Sequence, residues 1–126
     1  MMISKPLQLH NKYEDANVIR RMKVLLKVGC KLMESSADTQ RILRNMKRTA
    51  AFLGFKEDNL QIYADYNLLM VNYSDDHCSY TKFQRCSNHA IDMAGISAIS
   101  KLSWRAIAND YTIDQFEEEF DEICAR

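Results

Sequence analysis

Glycine and proline are almost missing from this chain, with three and one respectively among 126 residues. Their scarcity excludes a flexible linker or low-complexity segment, and no stretch repeats at the period of a solenoid. A chain so composed is expected to be ordered almost throughout, and its length suits one domain around one core. Long apolar runs are also absent. The longest, such as "LLMV" at Leu68 to Val71, are strand-sized, far below the roughly eighteen residues that cross a bilayer. The opening "MMISKPLQLHNKYED" lacks the apolar centre of a signal peptide, so a soluble, cytoplasmic chain is expected. The cysteines Cys30, Cys78, Cys86 and Cys124 form no CxxC and no dense framework; they suit a reducing compartment, with no disulfides.

Net charge is missing too, since 17 Lys/Arg balance 17 Asp/Glu. The balance conceals a polarity. Residues up to Lys56 carry an excess of eight positive charges, and residues from Glu57 onward an equal negative excess. Opposed halves can meet within the fold, mate one chain with another, or offer the basic half to an anionic surface. No basic motif is interleaved with aromatics, so nucleic acid is not an expected partner.

What is present is periodic. Val18, Met22, Leu25, Gly29 and Leu32 recur in steps of four and three, which predicts a helix over 16–34 behind an N-terminal arm, 1–15. Its other side carries a cationic stripe, Arg20, Lys23, Lys27 and Lys31. Ser35 and Asp38 have capping-box spacing and are expected to open a second helix that runs to Leu53. That helix turns Arg41, Arg44 and Arg48 outward and is closed by Gly54. From Leu60 the period becomes two, giving three short strands, 60–66, 69–73 and 78–85, with "SDDH" as a hairpin loop. Residues 90–109 return to helix, apolar over much of the circumference, and are expected to form the central, most buried element. Thr112 and Gln115 form another capping box before a last helix with Ile113, Phe116, Phe120 and Ile123 inward. The order ααβββαα describes a single α+β domain, its helices packed on a small antiparallel sheet, over 16–126.

Chemistry is less conspicuous. His77, Cys78, Cys86 and His89 fall close together, but neighbours on a strand point to opposite faces, so no metal site is expected. Cys30 and Cys124 lie among apolar helix positions, as small core residues do. Neither GxSxG, HExxH, P-loop nor GxGxxG occurs, so no catalytic residue and no cofactor is assigned. Asp65, Tyr66 and Asn67, at the first strand's end, have the character of a turn. Ser97, Ser100 and Ser103 recur every third residue on the third helix and suit close packing.

The stretch "LMESSADTQRILRNMKRTAAFLGF" resembles "LLxSGAETxRVExTMxRIAxxLG", a signature that opens the soluble N-terminal domain of the threonine/serine exporter family. In the same order, "IYADYNLLMVNY" stands where the family has two strands, "YTKFQRC" resembles "xTRVxRV", and "AISKLSWRAIANDYTIDQFEEEFDEI" resembles "AVNxLSRRIxxGxLSLEEAxxxLxxI". The resemblance covers Leu25 to the end. It places the family's Gly-Ala-Glu-Thr on Ser36, Ala37, Asp38 and Thr39, its arginine on Arg41, its strand Thr/Arg pair on Thr81 and Lys82, and an asparagine on Ser100. Ser36, Asp38, Leu43, Asn67 and Ser100 depart from the family pattern.

The resemblance implies a cytoplasmic accessory or gating domain at the inner membrane, with the transmembrane part outside this chain. The exported solute would be threonine, serine or a dicarboxylate, and Asp38, Arg41, Asp65, Lys82 and Ser100 would meet it, cations on a carboxylate and acids on an ammonium. A homo-oligomer or a companion membrane subunit would be the protein partner, and the basic stripes would face lipid headgroups or an acidic neighbour. Two other readings stay open. One is a small hydrolase using the Asp38 region, although an Asp beside Arg is normally held ionised and makes a poor general acid. The other is a self-associating module that joins basic half to acidic half.

Overall fold

Apolar residues over more than half the circumference of the chain's first helical segment need partners on several sides, and this decides the architecture. The computed structural model describes residues 4–87 and 90–125. Helix α1 spans Ser4–Glu34 and buries Met22, Val24, Leu25, Leu26, Val28, Leu32 and Met33. Elements from both ends of the fold pack on it: α2 (Thr39–Phe52), the strands β2 (Leu68–Ser74) and β3 (Ser79–Arg85), α3 (Met93–Ala108) and α4 (Ile113–Ala125). The central helix is therefore α1 and not, as the sequence suggested, α3. The latter buries one side through Ile96, Ile99, Leu102 and Ala106 but leaves Met93, Trp104 and Ile107 in solvent. Helix α1 also starts well before residue 16. Pro6 permits this, because it lies in the first turn, whose backbone N–H groups have no intrahelical acceptor to lose.

The expected α+β order is the observed one, two helices, three strands, two helices. A single 3₁₀ turn, Glu57–Asn59, leads into β1 (Leu60–Asp65). The strands form an antiparallel meander in the order β1-β2-β3. Ile62 pairs with Val71 and Val71 with Lys82, while Tyr63 pairs with Met70 and Met70 with Phe83. Directly opposed residues share a face. Leu69 and Val71 are fully buried, so their row, which includes Lys82, is the face toward the helices, and the row of Tyr63, Met70 and Phe83 is the outer face. Met46 and Ala50 of α2 and Phe116, Phe120 and Ile123 of α4 complete the core. Phe52 stacks on Phe116 at 5.1 Å between ring centroids. Full burial of each large side chain contributes about 1.5–3 kcal/mol.

The first three helices end in one way. Ser36, Gly54 and Asp110 each have positive φ, at 66°, 90° and 52°. At each end the following N–H reaches back five residues: Ala37 to Leu32 O, Phe55 to Ala50 O, Tyr111 to Ala106 O, all 3.0 Å. This is the Schellman closure. It explains why Ser35 does not cap α2. Ser35 still belongs to the closing turn of α1, with its N–H on Lys31 O and Leu32 O and its hydroxyl buried without a protein partner. The N-cap is Asp38, whose Oδ1 accepts the Arg41 N–H at 2.8 Å. The second expected capping box does form: Thr112 N–H donates to Gln115 Oε1 at 2.8 Å, and Gln115 N–H to Thr112 Oγ1 at 3.1 Å.

Candidate functional site

The two basic stripes meet different fates, and the difference locates the site. On α1, Arg20 pairs with Asp114 and, at 2.8 Å, with Glu117; Lys27 lies 3.9 Å from Glu117, and Lys31 3.6 Å from Asp92. The acidic last helix thus pairs with part of the first within one chain, which is the first of the three ways opposed halves can be used. Helix α2 has no such cover. It contains no acidic residue, and among the described residues Arg41, Arg44 and Arg48 form no ion pair.

Those arginines recur in steps of three and four, so they share one edge of α2. Met93, Ser97 and Ser100 do the same on α3, and the packing of α2 on α3 sets the two edges on either side of a groove. The groove holds about 340 Å³, and Asn45 and Ile96 complete its lining. Arg48 is fixed within it. Its Nη1 donates to Asn45 Oδ1 at 3.0 Å and to Ser103 Oγ at 3.2 Å, and its guanidinium lies 4.1 Å from the centre of the Trp104 ring. Asn45 is held in turn by donating to the Arg41 carbonyl at 2.9 Å, and Ser103 by donating to the Ser100 carbonyl at 2.7 Å. Burial, and then the like charge of Arg44, lower the pKa of Arg48 from its ordinary value, which is high enough that the group stays cationic.

Three guanidiniums and two serines around a small groove supply the kind of donors that a small anion accepts. Planar guanidinium forks match a carboxylate or a phosphate in two-point hydrogen bonds. No Asp, Glu, His, Cys or Lys lines the groove, so its serine hydroxyls have no carboxylate or imidazole base beside them in the lining.

Of the residues singled out from sequence, Arg41 and Ser100 are in this groove. Asp38 stands at the start of α2, its carboxylate engaged as the cap. Asp65 and Lys82 lie elsewhere, on opposite faces of the sheet. Asp65 is on the outer face and accepts the Tyr66 N–H at 2.7 Å, which shapes the turn, whereas Lys82 is half-buried opposite Val71. Sequence reasoning left out Arg44, Arg48, Asn45 and Ser97. The available signal was a match of spacing between the arginine stripe on α2 and the serine stripe on α3; what joins them is tertiary.

Cys30 and Cys86 are poorly placed to act as nucleophiles. Cys86 is buried, Cys30 half-buried, and burial, with the neighbouring Cys86, pushes the Cys30 thiol well up, so the thiolate is disfavoured. Cys124 is exposed and is not the core residue expected; none of the four cysteines is in a disulfide. His89 lies outside the described residues, and among those described no three His, Cys, Asp or Glu side chains gather as a metal site would require. The "SDDH" loop is closed by Asp75, which accepts the Tyr73 O–H at 2.7 Å and the N–H groups of His77 and Cys78 at 2.8 and 2.9 Å. These bonds, the Tyr73 bond first, hold its carboxyl down to about 2.

No curated protein and no solved structure matches the chain. A family model described as "Putative threonine/serine exporter", ThrE, matches residues 23–126, a span that takes in α2, α3 and the whole lining of the groove. By that match the chain belongs to the threonine/serine exporter family, and its role is related to the transport of small amino acids.

Proposed function

We propose that this chain is a cytoplasmic accessory domain that gates an inner-membrane exporter of threonine and serine or of dicarboxylates. The observation that carries the proposal is the arginine-lined groove, a receptor for carboxylates on a chain of an exporter family. Among the described residues no helix is long and apolar enough to cross a membrane, so the pore is assigned to other residues of the polypeptide or to a companion subunit. The proposed solute site keeps Arg41 and Ser100, adds Arg44, Arg48 and Ser97, and sets aside Asp65 and Lys82. A hydrolase gains no support from a groove whose serines have no carboxylate or imidazole base beside them. A dimer joined through opposite halves loses part of its surface, because Arg20 and Lys27 of α1 pair with Asp114 and Glu117 of α4 within the chain.

Calorimetric titration of the chain with threonine, serine and a four-carbon dicarboxylate tests this reading. Arg41→Gln with Arg44→Gln should weaken the binding that is found by about tenfold or more, since a charge-assisted hydrogen bond contributes about 1.5–3 kcal/mol. Absence of heat with all three solutes, or unchanged affinity in the double variant, sinks the proposal.

A further inference from the structure

The surface formed by α2 and α3 is unlike the rest of this electrically neutral chain. Between them the two helices carry six Lys/Arg and no Asp or Glu, and among the described residues only Arg105 of the six is ion-paired, with Glu119. Beside this charge lies apolar surface that the fold leaves open. Met93, Ser97, Ser100, Trp104 and Ile107 follow one another in steps of four and three, one stripe along α3. Met93 is 60% exposed, Trp104 59% and Ile107 44%. Arg48 lies over the Trp104 ring at 4.1 Å, so cation and aromatic are already adjacent. Ile91, just before α3, is 80% exposed.

Cations alone would suit any polyanion. Cations flanking a row of exposed Met, Trp and Ile suit a surface with anionic groups outside and hydrocarbon a few ångströms below. Tryptophan and arginine settle at that boundary, and Lys/Arg excess draws a protein to an anionic leaflet. An acidic protein segment or a nucleic acid would use the charges but has less use for an open stripe of Met93 and Ile107. We propose that the α2–α3 face docks on an anionic bilayer surface, with Trp104 and its apolar neighbours at headgroup depth. Of the α1 stripe, which the sequence offered for this purpose, Arg20 and Lys27 are engaged by α4 and Lys31 by Asp92. The inference uses the rim and outer side of the groove and does not depend on a solute being bound inside it.

The chain contains one tryptophan, and it lies on the face in question, so its fluorescence is a built-in reporter. The experiment is co-sedimentation of the chain with vesicles of phosphatidylcholine alone or mixed with phosphatidylglycerol, read together with Trp104 emission. Sedimentation with the mixed vesicles only, accompanied by a blue shift, is expected. Lys101→Gln with Ile107→Ser, which leaves the groove lining intact, should weaken vesicle binding by about fivefold or more, with circular dichroism confirming the fold. Lys23→Gln on α1 should leave it unchanged. The proposal is overturned by absence of sedimentation, by sedimentation without a Trp104 shift, or by an equal shift with soluble RNA or an acidic peptide. Vesicle binding in a chain that takes up no solute would overturn the proposed function and leave this inference standing.

Discussion

Ser36 adopts a backbone conformation, φ 66°, that an L side chain pays for and glycine does not. Two signals compete in "SSAD". It is the end of one helix and the start of another, and serine is common at helix starts, so pattern alone assigned the cap to Ser35 when the cap is Asp38. The family signature has glycine where this chain has Ser36, and the Schellman closure supplies the physical reason. Replacing Ser36 with glycine should therefore stabilise the chain, by about 1 kcal/mol, read as a higher urea midpoint at unchanged slope. Loss of stability would show that the Ser36 side chain contributes something the closure does not require. Asp110, at φ 52°, is a milder case, because Asp tolerates the left-handed region better than most residues.

Among the elements, strand order, hairpins and the last helix were legible because local rules set them: period two with Leu69 and Val71 inward, and Thr112 with Gln115 at a helix start. The rank of the helices was not. A helix apolar on several sides is either central or has a second use for its outer residues, and periodicity does not distinguish the two. Gly29 marks the answer in retrospect. A Cβ there would lie 2.6 Å from Met46 Sδ and 2.9 Å from Leu69 Cδ1, so α1 is where α2 and the sheet close in together. Met46 is flexible at its end but fully buried, and it has little room to yield. Gly29→Ala should accordingly destabilise the protein by about 1–2 kcal/mol, overpacking outweighing the gain in helix propensity. A rise in melting temperature instead would mean that Met46 finds a vacant rotamer.

At the scale of the whole molecule, the charge polarity seen in the sequence was a true signal with several meanings, and three-dimensional pairing chooses among them. Arg41 and Ser100 could be singled out singly, yet the groove that unites them with Arg48 and Ser97 exists only because α3 returns to pack on α2 after the sheet is built. The same return brings α4 against α1, where Glu117 stands between Arg20 at 2.8 Å and Lys27 at 3.9 Å. Exposed ion pairs contribute little, about 0–1 kcal/mol each, but Glu117 is shared by two cations and is the less exposed partner in both pairs. Glu117→Gln should cost about 0.5–1 kcal/mol in dilute buffer. That difference should shrink toward zero in about 1 M salt, where the screening length falls to roughly 3 Å. Urea denaturation of both proteins at the two ionic strengths measures it. A penalty that persists in high salt would assign Glu117 a packing role and leave the joining of the two charged halves to the apolar contacts of Phe116 and Phe120.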